Sequence, residues 1–156
     1  MLPHTHFMFA FLIGLIGLKY NYFSLIEVVI IGVLAVVIDI DHLISFYRHH
    51  KSWDLLKCWN GALEKHEYLW TFIHHRFGMI VVTGILALVS LFNIKYALIP
   101  AIAYYSHMIL DHMHLHKHKI KGHDYKEVFG LAIPLCYSEF VFDFLLLVSI
   151  IFLFLY

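Results

Sequence analysis

This sequence is short of charge, cysteine and proline. Asp, Glu, Lys and Arg together make up only 14% of its 156 residues, whereas 62% are hydrophobic. A soluble domain of this length has too little interior to hide that much apolar surface. The scarcity of charge, with a mean hydropathy of +0.78, therefore points to an integral membrane protein. Acidic and basic residues are equal at 11 each, so no basic excess is present for a nucleic-acid partner. The only cysteines, Cys58 and Cys136, make no metal-binding or disulfide pattern. No basic stretch precedes the first apolar run, and no small-residue cleavage site lies near Gly17. Residues 2–18 are therefore expected to be a retained helix rather than a signal peptide. No repeat or low-complexity linker divides the chain, so residues 1–156 are expected to form one domain.

What the chain has in excess is histidine, with 14 residues against 11 Lys and Arg. It also has one abrupt change of character. An apolar run from Leu25 to Ile38, broken only by Glu27, gives way to Asp39, Asp41 and His42. Ionisable groups at a membrane boundary are costly and default to a functional-site hypothesis. Carboxylate oxygens and imidazole nitrogens are ligands for Zn²⁺, Mn²⁺ or Fe²⁺.

The pattern predicts an all-α, polytopic bundle of about five helices. The first covers residues 3–18, with Pro3 in its first turn and His4 and His6 at its start. Ser24 is placed to cap a second helix reaching residue 46. Residues 48–65 look like an amphipathic piece at the interface. A third helix is expected over 64–92, with His66, His74 and His75 in its polar first part. A fourth is expected over 96–114, then a basic, His-rich loop, then a last helix from about residue 127 or 135 to 156. With five spans, one side receives nine Lys and Arg and all 14 histidines, and the other only Lys19 and Lys95. The positive-inside rule makes the first side cytoplasmic.

Several residues on that side are candidate ligands. Asp39 and His42 share a helix face, while Asp41 points about 160° away from Asp39. Unwinding after Ile40 would let all three converge. His107 and Asp111, at i and i+4, project together about 6 Å apart. His74 is preferred over His75 and His66 as the ligand of the third helix, and His6 over His4 in the first. Glu139 and Asp143 stand four apart in the last apolar helix, as ligands, a proton-handling acid or partners of histidines. His114 to His123 is read mainly as a solvated basic loop near anionic headgroups. Ser106 beside His107 makes no nucleophile pair, because adjacent helical residues diverge.

These motifs, in order, resemble those of the YdjM-like inner-membrane metal-dependent hydrolases, also called LexA-binding inner-membrane hydrolases. The similar elements are Thr5-His6, Ile38-Asp39-Ile40-Asp41-His42, Thr71 to His75, Ser106-His107 with Asp111, and Ser138-Glu139. Ile38 stands where the family usually has proline, and its His-Arg-Gly-x-Thr-His is absent. The resemblance implies a metal-dependent hydrolase. The expected core ligands are Asp39, Asp41, His42, His74, His107 and Asp111, with His6 and Glu139 nearby, holding one or two ions, Zn²⁺ first. Asp41 or Glu139 is the expected general base. Arg76, Lys117 and Lys119 are the expected phosphate-holding groups for a lipid or lipid-linked substrate entering from the bilayer. The alternatives are a non-catalytic metal-binding or transport protein, and a pH-sensing structural protein.

Overall fold

The computed structural model describes residues 2–64, 71–118, 125–128, 131–134 and 137–155. The chain is helical, as expected. Its helices are α1 (Pro3–Lys19), α2 (Leu25–Val37), α3 (Ile40–His50), α4 (Leu55–Glu64), α5 (Arg76–Phe92), α6 (Ile94–His118) and α7 (Tyr137–Leu155). Between α6 and α7, strands β1 (Tyr125–Val128) and β2 (Leu131–Pro134) pair antiparallel, Tyr125 opposite Pro134.

Among the described residues there are seven helices rather than five. Two local reasons add helices, and a third shifts a boundary. The long second helix divides into α2 and α3 at Ile38 and Asp39. The amphipathic piece is itself a helix, α4, whose start is capped by the Asp54 carboxylate accepting from Lys57 N–H at 3.1 Å. The third helix does not begin near Glu64: residues 71–75 form turns, and α5 starts only at Arg76. The region expected to be loop and helix start contains the hairpin instead, and the last helix opens at Tyr137.

Helices α1, α2 and α6 pack together, with α7 on α1 and α5 on α6. The core is made by Ala10, Leu15, Phe23, Val28, Ile31, Ala35 and Ala103. Small residues let the backbones come close, the usual device where helices associate without a strong hydrophobic drive. A Cβ on Gly14 would meet Val28 Cγ1 at 3.0 Å and Val28 Cα at 3.4 Å. At the start of α2, Ser24 makes the expected cap: Glu27 N–H donates to its hydroxyl, and Ser24 N–H donates back to the Glu27 carboxylate. Glu27 also pairs with Lys95 at 2.9 Å, tying the start of α2 to the start of α6.

Among the described residues, one stretch, Leu25–His50, is long and apolar enough to cross a membrane, its most apolar 18 residues having mean hydropathy 2.3. Along α2 the exposed residues are apolar, including Ile26, Val29, Ile30 and Val33, whereas Arg48, His49 and His50 are exposed at the end of the stretch. α5 and α7 likewise expose Ile80, Ile85, Leu88, Phe144, Leu147 and Ile151.

Candidate metal centre

The site lies where α1 begins, α2 ends, α5 begins and α6 passes. It starts with a break in the helix at Asp39. Asp39 N–H bonds to Val36 O rather than to Ala35 O, a tightened i to i−3 turn, and His42 N–H bonds to Asp39 O in the same way. The break comes before Ile40, not after it. It has two results. Asp39 is re-aimed inward, and the Ala35 carbonyl, which Asp39 N–H would otherwise occupy, is released. The His107 ring takes it: Nδ1 lies 2.7 Å from Ala35 O. A carbonyl only accepts, so Nδ1 carries the proton and Nε2 faces the site.

Four ligand atoms converge there, from Asp39, His74, His107 and Asp111, all within 4.8 Å of one another. His107 Nε2 is 3.3 Å from Asp39 Oδ1 and 3.1 Å from Asp111 Oδ2. His74 Nε2 is 2.9 Å from His107 Nε2, 3.4 Å from Asp111 Oδ2 and 4.0 Å from Asp39 Oδ1. Ligands about 2.0–2.1 Å from a tetrahedral ion stand roughly 3.3 Å apart. The observed spacings bracket that value, and a two-nitrogen, two-oxygen set suits Zn²⁺, Mn²⁺ or Fe²⁺. This buried Asp and His group could hold a metal ion.

The other expected residues take distinct places. His6 is buried, stacks on His107 with centroids 4.0 Å apart, and directs Nε2 at Asp111 Oδ1, 3.2 Å away. It therefore holds the oxygen of Asp111 that faces away from the two ligand nitrogens. Asp41 and His42 form a second group with His74, and Asp41 lies at the opposite edge of its ring. There His74 Nδ1 meets Asp41 Oδ2 at 3.2 Å and Thr71 Oγ1 at 2.8 Å. Thr71 donates its own proton to Asp41 and so accepts from His74. This carboxylate–hydroxyl brace fixes the tautomer that turns Nε2 to the site. His42 stays on the Asp39 face, its Nε2 3.7 Å from Asp39 Oδ1. His74, not His75, faces inward; His75 is exposed and caps α5, accepting from Phe77 N–H. His66 lies outside the described residues.

Glu139 is buried, but its Oε1 accepts from Leu2 N–H at 2.7 Å and Thr5 Oγ1 at 3.3 Å. It anchors the first turn of α1, which carries His6. Asp143 pairs with His4 at 2.9 Å. Ser106 bonds back to Ala103 O in its own helix. Arg76 is exposed at the start of α5. Lys117 falls in the last turn of α6, and Lys119 lies outside the described residues. The brace by Thr71 had a weak sequence signal, its three-residue spacing from His74. The Ala35 carbonyl had none, because any residue supplies a carbonyl.

Burial disfavours a charged His74, yet the Asp111 and Asp41 carboxylates outweigh it and push its pKa from 6.5 up to about 9. At neutral pH the ring holds a proton that an incoming cation must displace. Metal affinity is therefore expected to rise about tenfold per pH unit toward that value. Metal titrations at pH 6, 7 and 8 check this, and a flat affinity would contradict it.

No family model, curated protein or solved structure matches this chain. The class that fold and site define is thus a helical protein with a buried His and Asp cluster fit for a metal ion.

Proposed function

We propose that this protein is a membrane-embedded, metal-dependent hydrolase of a phosphoester or ester bond in a lipid or lipid-linked substrate. The observation that carries the reading is the convergence of Asp39, His74, His107 and Asp111 at ligand spacing. The motif order shared with the YdjM-like hydrolases supports the same class. A divalent cation held by these four groups, with a fifth position open beside them, would acidify a water and polarise the oxygen of the scissile bond.

The chain's own groups would prepare that chemistry. His6 steadies Asp111, the Ala35 carbonyl orients His107, and Thr71 with Asp41 orients His74. Asp41 Oδ1 is buried without a partner among the described residues, so this carboxylate has a spare acceptor next to the cluster. Glu139 Oε2 is likewise buried without a partner among the described residues, but Asp41 is the better-placed base of the two candidates because it touches the ligand His74, whereas Glu139 bonds to the start of α1. Arg76, with Lys117 and Lys119, would supply cations for a substrate phosphate.

The apolar stretch Leu25–His50 and the exposed apolar faces of α5 and α7 support a setting in lipid. Side chains of this kind would be costly in water and are at home against acyl chains. With several spans, the Lys and Arg distribution would put the site on the cytoplasmic side, and the resemblance to inner-membrane hydrolases would make that membrane the inner one.

The test is hydrolysis of phosphoester and ester lipids by detergent-purified protein, before and after chelation. Release of product that stops on chelation and returns with Zn²⁺ or Mn²⁺ is expected. Asp41→Asn should weaken metal affinity 10–100-fold, the usual cost of losing such a brace, and lower turnover further if it is the base. Purified wild type that takes up no metal would sink the reading.

A further inference from the structure

The fourth ligand reaches the site differently from the other three. Asp39, His107 and Asp111 are held in or beside the packed helices α2 and α6, whereas His74 sits in the turns before α5. Something must fix those turns to a fraction of an ångström, since a ligand atom displaced by about 1 Å leaves the coordination distance. The brace by Asp41 and Thr71 sets the rotation of the ring and, through Asp41, ties the turns to α3, but it does not tie them to α6, which carries His107 and Asp111.

Two features outside those turns set their position. Tyr104, buried on α6, donates its hydroxyl to the carbonyl of Ile73, the residue before His74, at 2.7 Å. It is three residues from His107 and seven from Asp111. At ~100° per residue, Tyr104 and Asp111 differ by only about 20° around the helix, and His107 by about 60°. One stripe of α6 thus carries two ligands and the strut that meets the backbone of the third. The second feature is Gly78, in the first turn of α5. A Cβ there would lie 1.8 Å from Phe72 O, 2.7 Å from Phe72 C and 3.2 Å from Ile73 Cα. All three are backbone atoms, so no side-chain rotation could relieve the clash.

We propose that Tyr104 and Gly78 are positioning residues that set His74 against His107 and Asp111: Tyr104 pulls the 71–75 turns onto α6, and Gly78 leaves the space in which they sit. The proposal rests on the metal reading above. It deepens that reading, because the site's geometry is then measured off along a single helix. It also explains why a tyrosine hydroxyl is buried beside a backbone carbonyl rather than replaced by Phe. Without it the Ile73 carbonyl loses this bond and His74 its anchor.

The experiment measures Co²⁺ affinity and the visible Co²⁺ spectrum of the full chain in detergent, for wild type, Tyr104→Phe, Gly78→Ala and Tyr105→Phe. Tyr105 is the control: it loses a hydroxyl of the same kind, one bonded at 2.6 Å to Thr83 on α5, away from the turns. Tyr104→Phe should bind Co²⁺ at least about tenfold more weakly, with a shifted spectrum, and Gly78→Ala more weakly still. Tyr105→Phe should match wild type in both, and the metal-free melting temperatures of the two Phe variants should agree. Wild-type affinity and spectrum in Tyr104→Phe would overturn the proposal, whether or not Gly78→Ala folds. Absence of Co²⁺ binding in wild type would instead remove the metal reading on which it rests.

Discussion

Asp39→Ala and His107→Ala are each expected to purify without metal, where wild type carries at least one equivalent of a divalent ion. The two residues are far apart in sequence and lie on separate elements, the α2–α3 junction and α6, yet their ligand atoms stand 3.3 Å apart. Removing either leaves three of the four converging groups. Loss of a ligand costs more than the 10–100-fold typical of an outer partner, so retention through purification should fall below about a tenth of wild type. His107 stands to show the larger effect. Its ring is fully buried, touches His6 and His74, and holds the Ala35 carbonyl, so its loss opens a cavity as well as removing a ligand. Elemental analysis of the three proteins, with circular dichroism to confirm helix content, decides the matter. Full metal in both variants would move the ion elsewhere in the chain, with the His114 to His123 segment the first place to look.

Gly14→Leu should be the most damaging single change at the α1–α2 contact. The site depends on α1 and α2 lying close, because α1 brings His6 and α2 delivers Asp39. At Gly14 even a methyl carbon would stand 3.0 Å from Val28 Cγ1 and 3.4 Å from Val28 Cα. The contact with Cγ1 is tight and that with Cα leaves no spare room, and a leucine adds three more carbons behind the first. Overpacking of this order costs about 3 kcal/mol, the upper part of the usual range. Thermal unfolding in detergent should show a clear fall in midpoint. Metal affinity should fall with it, since His6 is carried away from Asp111. Gly84 supplies the contrast, because a Cβ added there would meet nothing within 4 Å. Gly84→Ala should leave metal binding unchanged and stabilise α5 by up to about 1 kcal/mol through helix propensity. Equal stability of Gly14→Leu and wild type would show that the α1–α2 contact does not hold the site together.

Much of the site was legible before any fold was known. The preference for His6 over His4 and for His74 over His75 followed from spacing and from the expected inner faces, and the structure buries the preferred residue of each pair. The pairing of His107 with Asp111 followed from the helical repeat alone, and their atoms meet at 3.1 Å. Asp41 was less legible. Its neighbours in sequence suggested one cluster with Asp39, but the tightened turn sends the two carboxylates to opposite edges of the His74 ring. Glu139 looked like a base in an apolar helix, and it caps the start of α1 instead. A carboxylate's type shows that it needs a partner; it does not show which of several polar groups will reach it first.

By itself, the sequence determined the helical class and the Ser24 cap, together with residues able to hold a cation. These depend on local composition and on the 3.6-residue repeat, which neighbouring residues settle among themselves. Only the tertiary structure decided which atoms converge. The turn at Asp39 frees the Ala35 carbonyl for a ring on another helix. The 71–75 turns lie against α5 and bond to Tyr104 on α6. Each of these joins groups that are distant along the chain, and their separation is fixed by how closely the helices pack rather than by any pattern within one of them.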